Sequence, residues 1–420
     1  MTHTPPDAEP LHHHIRPMRG RDPHEAHRVA TPLELLFDLT FATAFSIGAA
    51  QLAHMLAEGH FAPAIIGFGF ASFAICWAWI NFSWFSSAYD TDDWVFRLTT
   101  MAQMIGVLIL AIGLPRMFAS LEAGAHVDNS IMILGYVVMR VAMLFQWLRA
   151  ARQDPQRRRA CLAYAVAIGI AQIGWIAQIL FDWSLGATMG FVVVLGFIEL
   201  AGPILAERGG GTPWHAHHIA ERNSLFAIIA LGEAVVGTVA TLSAVVAEQG
   251  WTIDAALVGI AGMGLTFGLW WTYYMLPSGQ VLHRHRERSF VWGYGQMLVV
   301  TAIVATGAGL HVAAYFIGHE SHLNSVATVL CVAVPVMIFL GMIYGLYAYL
   351  VRGFDRRAGF LLLATVGVIA LSIIAALLEI DMAVCLVIVM LAPVVTIIGY
   401  EVAGYRHQAK LLASDQASTA

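Results

Sequence analysis

The chain has 420 residues, 59% of them apolar and only 12% charged, with a mean hydropathy of +0.72. A soluble domain carries about twice that charged fraction, so polar groups are too few to cover a water-facing surface and lipid is the expected solvent. The net charge of -5 is diffuse and the arginines form short scattered clusters, which argues against a nucleic-acid partner.

Residues 1–30 are polar, rich in Pro, His and Arg, and lack the apolar core of a signal peptide. They read as a disordered cytoplasmic tail, with the His12-His13-His14 run solvated. Apolar stretches of membrane-crossing length then recur at 33–56, 62–87, 95–118, 129–149, 159–181, 186–206, 218–245, 252–276, 288–317, 323–351, 358–378 and 382–404. The fold class is therefore an all-α integral membrane protein of about twelve transmembrane helices, closing with a short cytoplasmic tail at 406–420. Cys76, Cys161, Cys331 and Cys385 fall in or beside apolar runs with no partner at metal-binding spacing, and read as small buried residues.

The first span opens Thr31-Pro32-Leu-Glu34-Leu-Leu-Phe37-Asp38. Glu34 and Asp38 share a face at i and i+4. Thr31 can cap, Pro32 suits the first turn, and Glu34 complements the positive helix end. Asp38, a turn deeper, is a candidate for a pathway or an ion pair. In the second span the cluster Trp77-Ala-Trp79-Ile-Asn81-Phe-Ser83-Trp84 fits an interfacial aromatic belt, with Asn81 and Ser83 as candidate cavity-lining groups. Asp90, Asp92 and Asp93 follow in a loop that lacks the Gly and terminal Glu of a calcium site. Arg140 and Glu199 fall well inside lipid in the fourth and sixth spans. Arg140 requires a carboxylate or an anionic ligand, and Glu199 and Glu233 both qualify by depth.

The seventh span carries Glu221 and Arg222 near its start and Glu233 twelve residues on, roughly 18 Å along the helix. Gly232 and Gly237 flank Glu233 and permit close approach by a helix or solute. A lone carboxyl at that depth keeps its proton unless a cation or a wet cavity stabilises its charge, which suits proton or cation coupling; a structural pair is the competing reading.

All but two of the 22 basic residues fall on the side of the N-terminus if every span crosses; the exceptions are Arg116 and Arg140. Acids such as Glu58, Glu122, Asp182, Glu248 and Asp381 occupy the opposite loops. This asymmetry places both termini in the cytoplasm. Matching features recur at an offset of 192 from Trp79 to Trp271, 193 from Gln103 to Gln296 and 187 from Glu34 to Glu221. They suggest two six-helix repeats, 31–207 and 208–405, facing the same way. No phosphate-binding loop, G-x-S-x-G elbow or H-E-x-x-H occurs, so neither an ATP-driven pump nor a conventional hydrolase is expected. Neither a cofactor nor a metal is called for.

The stretches Thr31-Pro-Leu-Glu34-Leu-Leu-Phe37-Asp38-Leu-Thr-Phe41 and His218-Ile-Ala-Glu221-Arg222 through Gly232-Glu233 closely resemble the bacterial low-temperature-requirement A (LtrA) family, as does the stretch around Trp84, Tyr89, Asp92 and Arg97. The resemblance covers roughly 28–405. It matches the acids at Glu34, Asp38, Glu221 and Glu233 and the cation at Arg222, but Asn223 and Ser224 stand where many members carry an aromatic and a glycine. It implies a bacterial inner-membrane location and brings no substrate with it.

These features point first to a secondary transporter of a small solute or ion coupled to protons or another cation, not an enzyme. An ion channel of two six-helix repeats is the alternative, since Phe37-Asp38 on an acid-bearing first helix is loosely similar to a lysosomal potassium-channel family. A lipid-handling intramembrane protein is the third. Beyond the lipid bilayer no partner is specified, and the oligomeric state is left open.

Overall fold

The computed structural model describes residues 15–23, 25, 28–124, 126–181, 183–353 and 356–419; the His12–His14 run and Asp182 lie outside them. Helices α1 Pro32–Ala57, α2 Phe61–Tyr89, α3 Trp94–Ala123, α4 Ser130–Gln153, α5 Arg158–Ile179 and α6 Leu185–Glu207 form the first half. The second holds α7 Ala216–Gln249, α8 Ile253–Tyr274, the short α9 Ser278–Arg284, α10 Ser289–Ile317, α11 Ser325–Val351, α12 Arg356–Leu377 and α13 Met382–Gly399. After a π-helical turn at Tyr400–Gly404 comes α14, Tyr405–Thr419. Among the described residues 12 helices are long and apolar enough to cross a membrane, and none forms a strand. This is an all-α, multi-pass membrane protein.

Polar residues set the helix starts. Thr31 and Glu34 form a reciprocal capping box, with the Thr31 N–H donating to Glu34 Oε2 at 2.8 Å and Pro32 in the first turn. Asp93, Ser184, Thr252, Asn324 and Asp381 cap α3, α6, α8, α11 and α13 through their side chains. Large apolar side chains such as Ile112, Ile173, Phe197 and Phe360 point outward, as expected where lipid replaces water.

Within the first half α1 packs on α2 and α3, and contacts then run α3 to α4, α4 to α5 and α5 to α6. The order recurs in the second half, where α7 packs on α8 and α10, followed by α10 to α11, α11 to α12 and α12 to α13. The two halves meet where α1 and α2 lie against α7 and α10. Helices α7 and α10 cross most closely at Gly237 and Gly307. A Cβ on Gly307 would stand 2.5 Å from the Glu233 carbonyl carbon, so only glycine lets the backbones approach this far.

Composition predicts a disordered tail over 1–30, yet the described part of that segment is tied down. The Arg16 N–H donates to Asp93 Oδ2 at 3.1 Å, and Arg149 pairs with Asp93 while donating to the Arg16 carbonyl at 3.0 Å. Met18 is fully buried, and its N–H donates to Gln153 Oε1 at 2.6 Å. The Arg21 N–H reaches the Ala88 carbonyl at 3.0 Å. Polar composition concealed this strap because its backbone groups are satisfied by groups on α2–α4 rather than by a regular ladder.

Candidate functional site

Among the described residues four acids are buried along the membrane-crossing helices, and they divide into three settings. The first joins α1 to α7. Glu34, Asp38, His218 and Arg222 are all 0% exposed. Arg222 Nη1 lies 2.9 Å from Glu34 Oε1, and Nη2 donates to Asp38 Oδ1 at 2.5 Å. Trp79 of α2 donates its indole N–H to the same Asp38 oxygen at 2.7 Å, while His218 Nε2 lies 3.2 Å from Glu34 Oε2. The guanidinium carbon sits 5.5 Å from the Trp79 ring centre and 5.7 Å from that of Phe82. Phe226 stacks on Trp79, with ring centres 4.0 Å apart.

The i, i+4 spacing of Glu34 and Asp38 presents two carboxylates to one guanidinium, and His218 stands one turn before Arg222. Three helices are thus clamped by a water-excluded network in which each charge has a partner. Arg28 extends it outward, 3.6 Å from Glu34 and 3.4 Å from Asp90. Burial and the nearby Glu34 charge push the Asp90 carboxyl up to about 6, against the opposing pull of Arg28.

The second setting lies inside the first half. Arg140 of α4 donates to Glu199 Oε2 at 2.5 Å, which resolves the choice between Glu199 and Glu233 in favour of Glu199. Trp77 donates to the same oxygen at 2.8 Å, while Tyr136 at 2.8 Å and Gln172 at 3.4 Å donate to Oε1. Trp77 and Trp79 are therefore core residues that hold buried carboxylates, and Trp84 packs between Trp214 and Phe290. The expectation of an aromatic belt fails for these three; exposed Trp270 on α8 fits it better.

Glu233 is the third setting. It sits on α7 at the seam between the halves, and its carboxyl accepts a hydrogen bond from Ser46 of α1. It makes no ion pair among the described residues. Its neighbourhood is the close α7–α10 crossing at Gly237 and Gly307.

The other expected positions separate. Glu221 is half-buried and forms no ion pair among the described residues, so it stands apart from the Arg222 cluster. Asn223 and Ser224 bond back to the carbonyls of Ile219 and Ala220 at 2.9 Å, and serve α7 itself. Asn81 donates to the Trp77 carbonyl at 2.8 Å and lines a small cavity with Trp77, Trp84, Tyr164 and Tyr294. Ser83 is buried outside that cavity. The acidic loop is engaged locally: Asp92 grips Arg97 with two bonds of 2.8 Å, Asp93 caps α3, and Asp90 faces Arg28. His218, Arg28 and Ser46 were missed. His218 alone carried a signal, its helical register with Arg222; a serine in an apolar helix carries none.

A relative in Rhizobium meliloti (strain 1021), described as an uncharacterized protein, is 25% identical over 292 residues, spanning 66% of this chain and 67% of its own length. No solved structure matches. The family model for the bacterial low temperature requirement A protein matches residues 29–393, which takes in all three settings of buried charge. With its twelve apolar helices and the matched motifs on α1 and α7, the chain belongs to the LtrA family.

Proposed function

We propose that the protein is a secondary transporter of the bacterial inner membrane, coupled to protons or another cation at Glu233. The arginine-rich face, with both termini, lies in the cytoplasm. Two six-helix repeats, 31–207 and 208–405, move against each other about the seam of α1 and α2 with α7 and α10. The recurring order of helix neighbours supports that division.

One observation carries the reading. Glu34, Asp38 and Glu199 each face an arginine, whereas Glu233 has only the Ser46 hydroxyl among the described residues, contributed by the opposite half. A carboxyl without a cation can gain or lose a proton without stranding an opposite buried charge. A change at Glu233 is felt directly by α1, because Ser46 is its partner. The Glu34–Asp38–Arg222 clamp, by contrast, has its charges matched and holds the halves together near the arginine-rich end.

The test is proton uptake by proteoliposomes under a potassium diffusion potential. Uptake by the wild type that is lost in Glu233→Gln supports the proposal. Uptake in Glu233→Gln equal to wild type overturns it, and unitary current steps would assign the protein to channels instead.

A further inference from the structure

The Arg140–Glu199 centre holds more donors than the protein uses. Glu199 already accepts from Trp77, Tyr136, Arg140 and Gln172. Arg140 Nε and Nη1 and Trp175 Nε1 nevertheless have no hydrogen-bond partner among the described residues. Arg140 and Trp175 are each 2% exposed, so bulk water does not reach them freely. They flank one ring: the Arg140 guanidinium carbon lies 5.6 Å from the centre of Tyr136, and the Trp175 ring lies 6.0 Å from it, edge-on. The unmatched acceptor beside them is Gln172 Oε1. Unpartnered N–H groups thus outnumber unpartnered acceptors among these side chains, deep in the bundle, where an unpaired polar group costs several kcal/mol.

We infer that this centre binds a small monovalent anion, a carboxylate or a halide, at an Arg140 N–H that Glu199 leaves free, with the Trp175 N–H as second donor. The inference rests on the transport reading, for which it names the solute class. Glu199 takes Nη2, so a ligand meets Nε–H or Nη1–H singly and needs a further donor beside it. The second half has no counterpart. At the repeat offsets of 187 to 193, Arg140 would map to 327–333 and Glu199 to 386–392, and neither stretch contains a charged residue. A pair needed only to fold a six-helix unit would serve both halves.

The cavities nearest in contact with the centre lie toward the arginine-rich end. Trp77, which touches Glu199, also lines the small cavity of about 20 Å³ beside Asn81. That cavity shares Ser289 and Phe290 with a vestibule of about 390 Å³ bordered by Arg157 and Arg286.

Thermal unfolding of the full chain in nanodiscs tests this, with chloride, nitrate and acetate titrated separately against a background of bulky gluconate. The wild type should be stabilised in a saturable way by at least one of the three, which also separates halide from carboxylate. Trp175→Phe removes a donor with no hydrogen-bond partner among the described residues and so should fold normally, while raising the half-saturating concentration roughly tenfold, the value of one hydrogen bond to a charge. Arg140→Gln combined with Glu199→Gln should abolish the effect. Absence of any anion-specific stabilisation of the wild type, as expected if the centre only holds water, overturns the inference. Equal half-saturation in Trp175→Phe and wild type overturns it as well. The titration reads binding alone, so its failure leaves Glu233-dependent proton uptake standing, and the reverse also holds.

Discussion

Replacing Arg222 with methionine removes the one side chain that, among the described residues, pairs with both Glu34 and Asp38. Neither carboxylate has access to water, since both are 0% exposed. Asp38 would retain the Trp79 N–H at 2.7 Å, and Glu34 would retain the Thr31 N–H at 2.8 Å, His218 Nε2 at 3.2 Å and a more distant Arg28 at 3.6 Å. Deleting one partner of a buried pair costs about 3–5 kcal/mol because it strands the other charge. Here two carboxylates are stranded one turn apart on one helix, so the upper end of that range applies. Neutralising the whole cluster in Arg222→Met/Glu34→Gln/Asp38→Asn should recover most of the loss, because the amide carbonyls introduced on α1 still accept from Thr31 and Trp79. Denaturant-induced unfolding of the purified protein in mixed micelles measures both variants. Unfolding of Arg222→Met at the wild-type midpoint, or a triple variant no more stable than the single, would refute the clamp.

Other outcomes follow from the same geometry. Gly307→Val forces its side chain into the Glu233 backbone and should cost at least about 1–3 kcal/mol as overpacking, read as a lower yield of monodisperse protein; a normal yield and melting point would contradict the close crossing. Because the Asp90 carboxyl is raised to about 6 in the folded protein, the folded state binds that proton more tightly than the unfolded chain does. Its contribution is most favourable below the ordinary carboxylate range and is lost as pH climbs through 6, by up to about 3 kcal/mol. Melting curves of Asp90→Asn should therefore gain on wild type between about pH 4 and pH 7, and parallel curves would count against the reasoning. Met18→Asp buries a charge under the strap and should make the bonds after Arg19 and Arg21 cleavable by trypsin in the folded protein; unchanged resistance would show that the strap holds without Met18.

The helical frame was legible because each span advertises itself by length and hydropathy. The clamp was half legible: the i, i+4 acids and the glutamate–arginine motif were visible, but their pairing across 184 residues was not. Trp77 and Trp79 misled because indoles at helix ends usually meet lipid headgroups, while here their N–H groups serve buried carboxylates. Met18 stood in a polar stretch with no periodicity to mark it as buried. Ser46 could not be singled out, since a hydroxyl in an apolar helix commonly bonds to its own backbone.

The central claim divides the buried acids by labour, with Glu34 and Asp38 holding the halves together and Glu233 moving the proton. It is tested most directly by measuring proton uptake side by side for wild type, Glu233→Gln and the neutral triple variant of the clamp. The account predicts uptake by wild type and by the triple variant, and none by Glu233→Gln. Uptake that survives in Glu233→Gln but vanishes in a folded triple variant would contradict it and move the coupling site to the α1–α7 clamp.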